Sequence, residues 1–315
     1  MLGRAVLLVG ATVVLVGIAL RVAGAGRGFP AAPLMTVLPY VALLGVVLAV
    51  VAARTGARWL ALTLGVALLL YGGLSLPRVL PSPQPDVDGP TVTVAIANLF
   101  VGDADADALV AVVDELDVDL LVTVELTGGG IARLAEAGLD DRLPHRVLRP
   151  SARTSGGGLH SRWPLERGPD TPRGPFGATP TAVVAVPDTL PVDLHGIHPL
   201  PPISADWTAA WAATLEGLPT LERPVLRILA GDFNADRDHA PFRRLLRDGY
   251  VDAAAARGLG WRPTFFGIAE GDLVPPVVLD HVLVDPRIAV EQVRVRRLAD
   301  SDHRMVIARL RLPAA

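Results

Sequence analysis

The chain has no cysteine and no lysine. The first absence removes disulfides, thiolate nucleophiles, iron–sulfur clusters and cysteine-bound zinc. The second removes Schiff-base lysines and the lysine of a P-loop. All 29 basic residues are arginine, so acid–base and ligand chemistry falls to His, Asp, Glu and Asn. Charge is scarce too, at 19% of 315 residues, and aromatics make up 5%, whereas 51% of the chain is apolar and mean hydropathy is +0.43. A soluble domain rarely averages so hydrophobic, which assigns part of the chain to lipid.

That part is the first quarter. Residues 5–20, 35–53 and 59–76 form three apolar runs, each close to the ~20 residues that cross a bilayer core. Buried core helices would show polar faces at helical period, and almost none appear. Arg21 extends the first run by reaching toward the interface, and Trp59 and Tyr71 suit an interfacial belt. The first run also reads as a cleavable signal peptide, with Arg4 before it and Ala23-Gly24-Ala25 after it. Flanking arginines divide evenly, Arg4, Arg54 and Arg58 against Arg21, Arg27 and Arg78, so only the terminal amino group sets the N-terminus inside. Three spans, or two after cleavage, then leave the rest of the chain outside the cytoplasm.

Pro77, Pro81, Pro83 and Pro85 lead to Gly89-Pro90, a stiff extended linker. The expected organisation is an anchor over 1–76, a linker over 77–90 and a catalytic domain over 91–315. Beyond residue 90 there are 23 Arg against 30 Asp plus Glu, leaving −7. That balance argues against avid nucleic-acid binding, which needs a basic footprint.

The last part alternates strands and helices. Strands are expected over 91–97, 120–124, 181–186, 192–197, 225–230, 277–284 and 305–312, all rich in Val, Ile and Leu. Helices are expected over 104–116, 205–218 and 241–247, and Asp103, Asp105 and Asp107 suit the first of these as cap and first-turn acids. The strands end in polar groups: the first in Asn98, the second in Glu125, the fourth in His198, the fifth in Gly231-Asp232-Phe233-Asn234. An unpaired buried charge is costly, so several such ends on one rim describe an acidic cleft. The set Asn98, Glu125, Asp232, Asn234, Asp302 and His303 is mostly hard oxygen, which selects Mg²⁺, Mn²⁺ or Ca²⁺. A zinc site would use His195 and His198, whose spacing on a strand sends them to opposite faces.

At this point the motifs resemble those of the endonuclease/exonuclease/phosphatase superfamily, also called DNase-I-like, across about residues 91–312. In the family's order they are Ala97-Asn98-Leu99, Leu121-Val122-Thr123-Val124-Glu125, His160-Ser161-Arg162-Trp163-Pro164, His198-Pro199-Leu200-Pro201-Pro202, Gly231-Asp232-Phe233-Asn234-Ala235, Leu279-Asp280-His281 and Ser301-Asp302-His303-Arg304. Val124 stands where the family often has Gln. The resemblance implies a four-layer α/β sandwich, two central β-sheets flanked by helices, here preceded by three transmembrane helices. It implies that Glu125, Asn98 and Asp302 serve the metal, Mg²⁺ or Mn²⁺. Asp232 would deprotonate water directed by Asn234, Asp280 would orient His303 toward the phosphoryl group, and His198 would donate to the phosphate or the leaving oxygen. Thr264 sits where the family has a threonine near the cleft.

Plainer readings stand beside these. Asn98 fits a turn cap, and Asp232 with Asn234 fits an Asx turn opening a helix. His281 should point away from Asp280 and serve structure. Gly156-Gly157-Gly158 reads as a flexible loop and not as a phosphate cradle. The leading expectation is a membrane-anchored, metal-dependent phosphoesterase acting on nucleic acid or a phospholipid headgroup, bound to membrane lipid by its spans and with no protein partner implied. The alternative is a catalytically silent domain that keeps the fold for binding at the membrane surface.

Overall fold

A computed structural model of the chain describes residues 2–168, 180–267 and 275–315. Three helices come first: α1 (Leu2–Ala23), α2 (Ala31–Arg54) and α3 (Arg58–Ser75). Each is long and apolar enough to cross a membrane. They meet along a seam of Ala11, Val14, Ile18, Met35, Leu38 and Leu64. Val9, Leu43 and Leu69 are more than half exposed on the outer faces, an apolar surface that water would penalise.

The remaining elements run β1 (Thr91–Asn98), α4 (Ala106–Glu115), β2 (Leu120–Val124), α5 (Gly128–Glu136), α6 (Leu139–Arg142), β3 (His145–Arg149), β4 (Gly157–Ser161), β5 (Leu165–Arg167) and β6 (Thr181–Val184). They continue with β7 (Val192–Ile197), α7 (Ala205–Glu216), β8 (Leu226–Asp232), α8 (Ala240–Arg247), β9 (Val251–Asp252), α9 (Ala253–Ala256), β10 (Asp280–Val284), β11 (Ala289–Arg297) and β12 (Arg304–Arg311). Two six-stranded mixed sheets result, ordered β11-β12-β1-β2-β4-β3 and β5-β6-β7-β8-β10-β9.

The two-residue period of β1 shows why the sheets stack. Val92, Val94 and Ile96 face the core between the sheets, while Ala95 and Ala97 face α4. On the second sheet Ile228 and Ala230 face inward, and Leu229 joins Trp211, Phe242 and Leu245 of α7 and α8 outside. Helix, sheet, sheet and helix make the four layers that the motifs implied. Polar caps start the helices as their sequence suggests: Asp105 accepts from the Ala108 N–H, and Ser204 from that of Trp207.

Two local readings are corrected. Gly157 and Gly158 open β4, buried between β2 and β3, and are not part of a loop. A Cβ on neighbouring Gly156 would lie 1.9 Å from the Leu126 carbonyl oxygen, so close approach of backbones explains the glycine there. Arg21 does not reach for the interface. Its Nε donates to Asp238 Oδ1 at 2.7 Å, and the side chain is buried.

Arg21 belongs to a buried network joining the helical bundle to the loop after β8. Arg78 pairs with Asp238 at 2.7 Å and Asp236 at 3.4 Å, and the Tyr71 hydroxyl donates to Asp238 at 2.9 Å. His239 Nε2 lies 3.0 Å from the Ala32 carbonyl oxygen at the start of α2. The proline-rich stretch is tied down too: the Ser82 N–H donates to the Ala256 carbonyl, and Gln84 Oε1 accepts from the Val290 N–H at 2.8 Å. Asp238→Ala would leave Arg21 and Arg78 buried without their shared counter-ion, an expected loss of about 3–5 kcal/mol. Thermal unfolding in detergent micelles should show it as a lowered midpoint, larger than for Glu216→Ala, which removes the more exposed pair of Glu216 with Arg27 at 2.8 Å.

Candidate active site

Strand pairing alone brings the polar strand ends together. β1 and β2 run parallel and finish side by side at Asn98 and Val124. The chain then turns at Glu125 with φ +57°. β8 and β10 are antiparallel, with Asp232 directly opposite Asp280. Gly231, at φ +156°, lets β8 pass the end of β7, since a Cβ there would lie 1.9 Å from the Ile197 oxygen. His198 follows β7 directly. Ser301 fastens the last motif: its hydroxyl donates to the Asn98 carbonyl at 2.9 Å and accepts from the His303 N–H at 3.1 Å.

The side chains form one connected set. His303 Nδ1 lies 2.7 Å from Asp280 Oδ2, and its Nε2 is 3.7 Å from Asp232 Oδ2. His198 Nε2 stands 3.8 Å from Asp232 and 3.9 Å from Glu125. Asn98 Nδ2 donates to Glu125 at 3.3 Å and Asp232 at 3.4 Å, while its Oδ1 accepts from the Phe100 N–H. With the amide ends exchanged, the same side chain would offer oxygen toward the carboxylates' side. The Val101 N–H donates to Glu125 Oε2 at 2.9 Å. Asn234 closes an Asx turn on Asp232 through its backbone N–H at 2.8 Å, and its Nδ2 donates to the Pro199 carbonyl at 2.9 Å. Glu125, His198, Asp232, Asn234, Asp302 and His303 all line a cleft of ≈ 610 Å³. Asn98 and Asp280 support that lining from behind.

Electrostatics follow from burial and crowding. Burial, then the facing Asp280 carboxylate, pushes Asp232 up to about 7. Burial also raises Glu125 and Asp302, against the opposing pull of His303. Burial would lower His303, but Asp280, Asp232 and Asp302 outweigh it and raise it to about 10. Burial and the His303 charge lower His198 to about 4, so it is neutral at pH 7.

The chemistry of the set fits a hard divalent cation. Asp232, Asp280 and His303 present ligand atoms within 4.8 Å of one another, and Asp280 Oδ1 is buried with no hydrogen-bond partner. Asp280 Oδ2 is committed to His303, whereas the carboxylates of Glu125, Asp302 and Asp232 are the ones that line the cleft. His195 does not join them: its Nε2 lies 2.9 Å from Asp193, away from His198's partners, so no two-histidine zinc site forms.

Other residues were less visible in the sequence. Thr264 Oγ1 accepts the N–H groups of Leu279 and Asp280, both at 3.0 Å, and so sets the start of β10. His281 packs at 4.4 Å against the Phe242 ring, with Nε2 2.9 Å from the Ala235 carbonyl oxygen, a structural role. Arg153, Trp207 and Phe265 line the cleft, as do Pro33 and Thr36 of α2. No spacing or motif marks Pro33 and Thr36, because they lie in an apolar run far from the strands.

Two six-stranded sheets carrying a rim of carboxylates and an aspartate-held histidine define a DNase-I-like phosphoesterase. Residues 95–303 match the endonuclease/exonuclease/phosphatase family, and the chain belongs to it. By that membership it is a phosphoric ester hydrolase of the metal-dependent type. Solved structures share the fold. An endonuclease/exonuclease/phosphatase from Beutenbergia cavernae is 23% identical, with 71% of this chain and 72% of that one covered and a TM-score of 0.56. A truncated TDP2 from Caenorhabditis elegans is 16% identical over 72% of this chain and 100% of that one, at 0.55. An AP endonuclease from Archaeoglobus fulgidus is 14% identical over 69% and 98%, at 0.53. Among curated proteins none matches this sequence.

Asp280→Asn should lower the His303 pKa from about 10, and by more than Asp302→Asn does. Histidine ring shifts followed by NMR titration measure both. Since the folded value lies above the ordinary 6.5, the charged His303 stabilises the fold fully below pH 6.5. That contribution should fade as pH rises through about 10, and Asp280→Asn should flatten the loss.

Proposed function

We propose that this chain is a membrane-anchored phosphoesterase, with α1 to α3 crossing the cell membrane and the catalytic domain on the extracytoplasmic side. The observation that carries the reading is the convergence of Glu125, His198, Asp232, Asp302 and His303 in one cleft from four separate chain segments. The outward apolar faces of the three helices support the anchoring.

Glu125, Asn98 and Asp302 would hold Mg²⁺ or Mn²⁺, which would offset charge on the phosphoryl oxygens. The protein's own groups do the rest. Asp232, with a pKa near neutrality, takes a proton from the attacking water. Asn234, fixed by Pro199, directs that water by hydrogen bonding. The water oxygen bonds to phosphorus as the ester P–O bond breaks, and the departing oxygen takes up through solvent the equivalent of the proton that Asp232 removed, which returns Asp232 to its ionised form. Protonated His303, held in one orientation by Asp280, faces the phosphoryl group and stabilises its growing negative charge. Neutral His198 donates a hydrogen bond to the phosphate or the departing oxygen. Nothing in this arrangement distinguishes a nucleic-acid phosphodiester from a phospholipid headgroup, since both present the same reacting atoms.

Hydrolysis of bis(4-nitrophenyl) phosphate with Mg²⁺ should be abolished by chelator and restored by Mg²⁺ or Mn²⁺. Asp232→Ala should lower kcat about 10²–10⁴-fold with the fold retained. Chelator-resistant turnover, or full activity in that variant, would overturn the reading.

A further inference from the structure

The catalytic cleft is not built by the catalytic domain alone. Pro33 and Thr36, in the first turns of α2, form part of its wall. A second hollow of ≈ 370 Å³ lies between α2, α3 and the catalytic domain, lined by Thr36, Tyr40, Leu43, Tyr71, Trp261 and Val278 among others. Thr36 and Val277 line both hollows, which places them end to end. Leu43 lies seven residues beyond Thr36, about 10 Å along the helix. It is 64% exposed on the outer face of α2. A largely apolar path, with the Asp236 carboxylate on its wall, therefore runs from the outer surface of a candidate span to the cleft carboxylates.

We propose that the substrate is a phosphate ester carried by a membrane lipid, its headgroup in the catalytic cleft and an apolar chain in the slot between α2 and the catalytic domain. The proposal rests on the hydrolase reading above for its chemistry and on the slot for its substrate class.

Four observations support it. Tyr40, Tyr71 and Trp261 gather at the slot, and such rings favour the headgroup level of a bilayer. Ile203, 65% exposed, and Trp207, 37% exposed, project from the cleft rim, which suits a mouth pressed on a membrane surface. The slot has fixed walls: Tyr40 donates to the Pro276 carbonyl at 2.5 Å, and Asp238 holds Arg21, Tyr71 and Arg78 beside it. Finally, among the described residues Arg153 is the one arginine that lines the cleft, whereas a nucleic-acid backbone favours a row of cations. Arg142 pairs with Asp114 and Arg146 with Asp140. One arginine and His303 suit a single phosphate.

The apolar lining has a physical purpose in this scheme. A lipid chain moving from the bilayer into an apolar slot keeps its surroundings, whereas each methylene exposed to water costs about fourfold in the equilibrium constant. The slot lets a headgroup reach the carboxylates without drawing its chain into water.

The test uses the full chain in lipid nanodiscs. In the Asp232→Asn variant, a phosphatidylglycerol probe with a diazirine in one acyl chain should label Trp261 and residues 276–278 as well as α2 near Leu43. Labelling confined to the outer faces of the three helices would overturn the proposal, because ordinary surrounding lipid does as much. In the otherwise native chain, Val278→Trp should lower phosphatidylglycerol turnover relative to bis(4-nitrophenyl) phosphate at least about tenfold. An unchanged ratio, or faster cleavage of plasmid DNA than of lipid in the same discs, would overturn it too. Cleavage of the soluble ester without labelling at Trp261 removes the lipid proposal and leaves the hydrolase. Labelling at Trp261 with no ester cleaved supports the lipid slot and removes the hydrolase reading.

Discussion

Two buried carboxylates face each other across β8 and β10, and the molecule is organised around keeping Asp232 and Asp280 together. Like charges in a low-dielectric interior repel strongly, so one must be protonated or a positive group must stand near both. His303 does so, 2.7 Å from one and 3.7 Å from the other. Burial first, and then the His303 charge, keep His198 neutral. Two histidines 3.8 and 3.7 Å from the same Asp232 carboxylate thereby differ in charge, and the carboxylates around them leave residual negative charge that a hard cation would meet.

The segment that leaves β8 at the cleft residue Asp232 also carries the joint to the helical bundle. From Asp232 the chain runs through Asn234 to Asp236 and Asp238, which take Arg78 and Arg21. Asp236 is lowered to about 2: burial alone would raise it, but Arg78 and His239 outweigh that. Opposite charges buried this tightly act as a fixed hinge pin, because parting them leaves each without compensation. The bundle is thus held at the cleft by side chains, and the first turns of α2 become part of the cleft wall. The phosphoesterase chemistry and its proposed access to lipid share one loop of seven residues, 232–238.

Much of the set of side chains that gathers in the cleft could be read along the chain. Local order made this possible: Gly231-Asp232-Phe233-Asn234 and Ser301-Asp302-His303 place polar side chains at the end of β8 and just before β12, where the backbone itself decides their position. The apolar strands of the two inner faces were equally plain, as with Leu120–Val124 and Val192–Ile197. Edge strands were not. β11 carries Glu291, Gln292, Arg294 and Arg296 among its valines, so its hydrophobic alternation is broken on the solvent side. β4 is an interior strand that was hidden for another reason: it begins with two glycines, which read as a loop until the Leu126 backbone is seen lying against Gly156.

By itself, the sequence determined that three apolar helices precede an α/β domain and that hard oxygens and imidazoles end its strands. Those properties are local, set by side-chain polarity at periods of two and 3.6 residues. Tertiary structure alone decided which histidine is charged and where Arg21 and Arg78 find counter-ions. It also decided that Thr36 belongs to the cleft. Each depends on partners some 20 to more than 200 positions away, and burial, which sets the strength of every such pairing, exists only once the sheets and helices have packed.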